Sequence, residues 1–243
     1  MTDYEARARA ELSDWQKEML REPGFLDRAT RGMQEKINSY IPEKAHAAIT
    51  TVIGQMTRAV LTGSHYTAAL PLAAGSLEER EAKVRQKIDV YRRTAAAEGG
   101  ITGAGGFLLG LADFPLLLSI KFKQLFDIAA LFGHDTFDYR ERLYILHVFQ
   151  LAFSGREHRR ATYLNVARWR ENVTTLPGSL DAFDWRTFQQ QYRDYIDLAK
   201  MAQLLPVIGA PIGAVVNYRL LDRLGLTAIN AYRLRWFDRL QLT

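Results

Sequence analysis

The sequence contains no cysteine, which excludes a disulfide framework, thiolate catalysis and metal binding through sulfur. This fits a reducing compartment. The histidines, His46, His65, His134, His147 and His158, show no H-E-x-x-H or other close ligand spacing, so each reads as a surface or packing residue and no metal is expected. There is no G-x-x-x-x-G-K-[ST] loop. Gly103-Ala104-Gly105 fails as a dinucleotide fingerprint: the third glycine position holds Leu108, and a helical pattern precedes it. Gly63-Ser64-His65 lacks the context of a nucleophile elbow. No catalytic residue and no cofactor are assigned on these grounds. The first twenty residues, MTDYEARARAELSDWQKEML, are charged throughout and contain no apolar core of a secretory signal. The chain therefore reads as cytoplasmic. Runs of alternating valine and isoleucine bounded by hairpin turns are missing as well, so strands are not expected.

What is present is a folded composition, 48% hydrophobic and 24% charged over 243 residues. A formal charge of +5 suits an anionic membrane surface; no nucleic-acid-binding signature accompanies it, so no nucleic acid is expected. The most unusual stretch is Gly99–Ile120, GGITGAGGFLLGLADFPLLLSI. Glycine in a helix interior costs about 1 kcal/mol relative to alanine, so such a run implies a compensating close approach of backbones or an apolar surround. Gly99 and Gly103, Gly106 and Gly110, and, in Leu204–Val216, Gly209 and Gly213 are each four apart. That spacing puts small residues on one helix face, in the manner of a glycine zipper.

Apolar stripes at helical spacing run through the rest. Tyr4, Ala8, Leu12, Trp15 and Met19 predict a first helix ending at Pro23-Gly24, and Leu26 to Tyr40 a second. Pro42 opens a third, carrying Ala45, Ile49, Val52, Ile53, Met56 and Val60. Ser76 and Glu79 form a capping box for a fourth, with a solvated face of Arg80, Lys83, Arg85, Lys87, Arg92 and Arg93, running into the glycine segment. Asp113 and Pro115 predict a break, giving pieces Gly99–Ala112 and Pro115–Phe132, the second closed by Gly133. Further helices are read over Leu143–Phe153, Arg156–Arg170, a stretch after Asp184, and Asn217–Leu240. The expectation is an all-α bundle of about nine to ten helices around two glycine-rich central segments. It forms one domain over 1–243, with amphipathic helices in 1–95 and the core in 96–243.

Two readings of the glycine segments stand side by side: a buried hairpin in a soluble core, and peripheral or re-entrant contact with a bilayer. Asp113 and Pro115 interrupt the first segment, which argues against a full span. Lys121 and Lys123 after the first segment, and Arg219 and Arg223 after the second, have stems long enough to place charge at headgroups. The arginines of 219–239, interleaved with Tyr218, Tyr232, Trp236 and Phe237, make either a headgroup face or an ordinary solvated face. Asp113, Asp127 and Asp222 are carboxylates in apolar surroundings. They read as a helix cap and ion-pair partners, or as the acid–base groups of a hydrolase. A soluble carrier enclosing an apolar, lipid-like ligand between Phe107, Leu109, Phe122, Ile208 and Val215 is the third possibility.

Gly99–Gly110 with Ala112-Asp113-Phe114-Pro115, Lys123 with Asp127-Ile128-Ala129, Gly133-His134-Asp135, and above all Pro206–Arg235 with its NYRLLDRLG core together resemble the EcsC protein family. The family pattern implies a Gly-Glu-Thr-Ala-like turn after the leucine helix, from which Gly225-Leu226-Thr227-Ala228 departs at Leu226. The resemblance implies a bacterial protein associated with ABC-type export, with a membrane surface or membrane protein as partner. It carries no established catalytic residues. Asp113, Asp127, Asn217, Tyr218, Arg219 and Asp222 occupy its motif positions and are taken as ligand-facing or structural candidates.

Overall fold

A computed structural model of the chain describes residues 1–22, 43–62, 69–102, 106–184, 186 and 210–240. Of these, 43–49, 95–102, 106–114, 156, 157, 210–217 and 240 are described as helix backbone alone. The second expected helix, the helix after Asp184 and the stretch 204–209 lie outside the described residues.

The protein is all-helical. Among the described residues there are eight α-helices and no strand: α1 (Asp3–Leu20), α2 (Glu43–Thr62), α3 (Leu77–Thr102), α4 (Gly106–Leu131), α5 (Tyr139–Phe153), α6 (Arg156–Ala167), α7 (Trp169–Asn172) and α8 (Ala210–Leu240). Short 3-10 turns follow α7. No helix among the described residues is long and apolar enough to cross a membrane.

Local chemistry sets the helix ends. Thr2 and Glu5 make a reciprocal capping box on α1. Ser76 and Glu79 do the same for α3, as the sequence predicts. Asp138 accepts from the Arg140 amide and caps α5. The end of α4 is a Schellman motif: the His134 amide reaches the Ala129 carbonyl (3.0 Å), and the Gly133 amide reaches that of Ala130 (2.9 Å). Gly133 has φ +85°, the left-handed geometry expected of a C′ glycine. Arg80 completes this end by donating to the Leu131 carbonyl, where a cation meets the negative end of the helix dipole. Arg80 is thus buried, not part of a solvated face.

The break expected at Asp113 is absent. α4 starts at Gly106 and passes through Pro115, which lies inside the helix. Proline removes one backbone bond and is ordinarily a stop signal. Here the helix packs against α3, α2, α5 and α8, and tertiary packing outweighs the local preference. The last helix likewise begins seven residues before the expected Asn217, at Ala210.

α8 is the organising element. It runs along α3, their most extensive pairing, and also meets α1, α4, α5 and α6. Two side-chain pairs fix the direction: Arg92 of α3 meets Asp222, and Glu81 of α3 meets Arg233. The helices are therefore antiparallel. α3 and α4 form an antiparallel hairpin, joined across Tyr91 and Asp127. Where α8 meets α3 and α4, side chains press against the Gly225 backbone. A Cβ on Gly225 would lie 2.5 Å from Ile88 Cδ1 and 2.9 Å from Gln124 Nε2. Residues 225–228 are consequently mid-helix, not a turn; the glycine serves close packing. Phe122 stacks on Phe149 (ring centroids 4.5 Å), and Phe132 on Tyr232 (5.2 Å), tying α4 to α5 and α8. α5 is buried on nearly its whole circumference.

Candidate functional site

Two polar regions lie along α8, one toward each end. The first is a belt beside the glycine-rich segments. Asp127, almost fully buried on α4, accepts from the Tyr91 hydroxyl (2.8 Å) and pairs with Lys123 and with Lys87 (3.3 Å). Burial and the Asp127 carboxylate push the Tyr91 hydroxyl well above its usual pKa. Asp222 pairs with Arg92, which also binds Asp89 and lies over the Tyr218 ring (4.8 Å). Arg219 is exposed.

The structure thus brings Asp127, Lys123, Asp222 and Tyr218 into one neighbourhood, each with a partner. Asp127 and Asp222 are held by different cations, the arrangement of structural ion pairs rather than of a shared acid–base couple. The side chains of Asp113 and Asn217, and the packing of Gly99, Gly103, Gly106, Gly110, Gly209 and Gly213, lie outside what is described. The same holds for Phe107, Leu109, Ile208 and Val215; Phe122 is packed into the core against Phe149.

Lys121 corrects an expectation. Its side chain is fully buried, with Nζ 3.4 Å from the Leu117 carbonyl, so it does not reach outward from the end of the glycine segment. The turn of α4 that exposes Leu116 and half-exposes Lys123 rotates Lys121 inward toward the core.

The second region lies in the C-terminal half of α8, where the sequence offers a headgroup face or a solvated one. Neither describes Arg233. It is buried and clasps Glu81 through Nε (2.6 Å) and Nη2 (2.7 Å), while Nη1 meets Glu11 (2.8 Å). The Tyr4 hydroxyl also donates to Glu81 (2.8 Å). Burial works against the Arg233 charge, yet the bonds to Glu81 and Glu11 win and raise its pKa. Arg235 donates to both oxygens of Glu141 (2.7 and 3.0 Å) and lies over the Tyr144 ring (4.6 Å). Tyr232 donates to the same carboxylate (2.7 Å). Tyr232 and Phe237 are core residues, and Trp236 packs against that core.

Beside Glu141 sits His134, with Nδ1 3.5 Å from its carboxylate and Nε2 2.9 Å from Arg239 Nη2. Burial first, then Arg235, Arg239 and Arg80, drive the His134 pKa down to about 2. Three guanidinium groups outweigh one carboxylate, so the ring is neutral. A cavity of about 300 Å³ opens next to this cluster, between the start of α5, the α6–α7 corner and the end of α8. Among the described residues no group of three or more histidine or carboxylate side chains is placed to hold a metal ion.

Sequence reading missed two clusters, Arg233 with Glu81, and Arg235 and Arg239 with Glu141 and His134. The available signal was the density of arginine and tyrosine in 232–239. It shows neither which of them turn inward nor that their partners lie in α1, α3 and α5.

The comparisons with known proteins agree with the resemblance. The EcsC protein family model matches residues 6–237. The chain is 41% identical to Protein EcsC of Bacillus subtilis (strain 168) over 236 residues, 97% of each chain. It is 25% identical to the uncharacterized protein YdbA of the same organism over 245 residues, 93% of this chain and 90% of that one. No solved structure matches. The α3–α8 pair as far as residue 237, the belt, and Arg233 and Arg235 with Glu81 and Glu141 fall within the matched span, and the chain belongs to the EcsC protein family.

Proposed function

We propose that the chain is a membrane-associated accessory protein without catalytic activity, peripheral on the inner face of the cell membrane, which docks by pressing the glycine-rich end of its bundle into one leaflet. The observation that carries this reading is the antiparallel packing of α3 with both α4 and α8. It gathers the end of α3, the start of α4 and the start of α8 at one end of the bundle, beyond the belt of Arg92, Asp222, Lys123 and Asp127. From Arg93 to Thr102, from Gly106 to Ile120 and from Ala210 to Tyr218 these helices extend about 12–21 Å, at about 1.5 Å per residue. Beyond Arg93 itself their sequences carry only Glu98 and Asp113 as charges. That length is close to half of a hydrocarbon core of about 30 Å, which fits entry into one leaflet and not a crossing. Leu116 and Tyr218, 55% and 37% exposed, are apolar or aromatic surface at this end, beside the exposed Arg219. Interfacial aromatics with basic neighbours suit an anionic headgroup layer. A membrane exporter of the ABC type, the association implied by the family resemblance, would present its partner surface in the same place.

Co-sedimentation with neutral and anionic vesicles, at low and high salt, tests this. Binding to anionic vesicles that survives high salt, and that Leu116→Asp weakens about tenfold or more, is expected. Failure to bind either vesicle, or equal binding by the Leu116→Asp variant, would overturn the reading.

A further inference from the structure

The cavity at the other end of α8 has a charge pattern that the described residues do not complete. Four of its lining residues are arginines: Arg140, Arg170, Arg235 and Arg239. Two of these have a carboxylate nearby. Arg235 is taken by both oxygens of Glu141. Arg170 is close enough to Asp238 to pull down its carboxyl, which burial pushes up.

The other two meet neutral groups. Arg239 donates to the ring of His134, which carries no charge. Arg140 donates to the Pro177 carbonyl (3.4 Å), and its buried Nε has no hydrogen-bond partner among the described residues. The remaining lining carboxylate, Asp138, is engaged in capping α5. Arg235 and Arg239 are also four apart on one helix, a like-charge pair that is unfavourable in isolation. A fold that holds two such cations at the wall of a cavity stores an attraction for an anion of matching charge.

We propose that this cavity binds a small soluble molecule through a dianionic phosphoryl group, with Arg239 and Arg140 as its anion-binding side chains. Guanidinium forks match tetrahedral oxyanions in geometry as well as charge, and a phosphate monoester carries about two negative charges at neutral pH. A volume of about 300 Å³ is at the small end of ligand sites, sized for a metabolite and not for a polymer. The site is also remote from the glycine-rich end. From Tyr218 to Arg235 is about 25 Å along α8. A bilayer touching that end does not reach the cavity, which favours a soluble phosphorylated compound over a lipid headgroup. The proposal stands whether or not the protein binds membranes.

The test is calorimetric titration of the full chain with pyrophosphate at fixed ionic strength. Saturable binding at one site is expected. Arg239→Gln and Arg140→Gln should each weaken it about tenfold or more, while Arg93→Gln, on the distant exposed face of α3, should leave it unchanged. Because Arg239 lies at the solvent-facing end of its helix and Arg140 on another helix, loss of fold in one variant leaves the other to decide. Non-saturable binding, or unchanged affinity in both variants, would overturn the proposal. Acetate binding as tightly as pyrophosphate would remove the phosphoryl assignment. Displacement of pyrophosphate by phosphatidate vesicles would remove the soluble-ligand assignment.

Discussion

Arg233 holds Glu81 through two hydrogen bonds in a part of the molecule closed to water, while the second ion partner of each, Glu11 for Arg233 and Arg85 for Glu81, is far more exposed. Removing one partner from a buried pair leaves an uncompensated charge, which costs about 3–5 kcal/mol, whereas replacing both with apolar groups is often close to neutral. Arg233→Met should therefore lower unfolding free energy in urea by about 3–5 kcal/mol, and Glu81→Leu combined with Arg233→Met should recover most of that loss. A single-variant cost below about 1 kcal/mol would remove the network from the stabilising interactions. At this scale the sequence was least informative. Arg219 and Arg233 both sit in α8 among tyrosines, yet one is exposed and the other buried. Nothing local separates them, because Glu81 and Glu11 arrive from helices 152 and 222 residues away.

The α3–α8 crossing depends on Gly225. A methyl group there would meet Ile88 Cδ1 and Cγ1 at 2.5 and 2.7 Å, far inside contact distance. Alanine would improve helix propensity by about 1 kcal/mol, but overpacking typically costs about 1–3 kcal/mol. Gly225→Ala should be net destabilising, and adding Ile88→Val, which removes the Cδ1 methyl, should reverse part of the effect. A double-mutant cycle measured by thermal unfolding reads the coupling; zero coupling would place the close approach elsewhere. Helices with one wet face were legible: the Tyr4–Met19 stripe of α1 and the Ser76–Glu79 cap of α3 are where periodicity and capping put them. α4 and α8 were legible as helices but not in extent. Both pack on several neighbours, so tertiary contacts carry Pro115 inside one and start the other at Ala210.

For the whole molecule, the same cluster that lines the cavity sets a pH dependence of stability. His134 has its pKa held at about 2 in the folded chain, against about 6.5 when unfolded. Below pH 6.5 the unfolded chain binds a proton that the folded chain refuses. The stability contributed by the neutral ring is thus complete above pH 6.5 and is lost as pH falls toward 2, by up to about 1.4 kcal/mol per unit. From pH 7.5 to 5 the loss should be about 2 kcal/mol. His134→Gln should flatten that part of the profile in urea titrations at the two pH values. An unchanged slope would assign the acid sensitivity to other groups. The all-helical class could be read from composition and periodicity; the central place of α8 could not, because it rests on contacts with five other helices.

That central place has a consequence for how the chain is made. Glu11 and Trp15 of the first helix emerge from the ribosome long before Arg233, and Trp236 donates to Glu5, 231 positions earlier in the chain. Until α8 is synthesised, α3 lacks its longest contact surface and Glu81 lacks its two bonds from Arg233. The nascent chain must therefore wait, with the apolar stripes of α1 and α3 uncovered, for its final stretch to arrive and close the bundle in one late, long-range step.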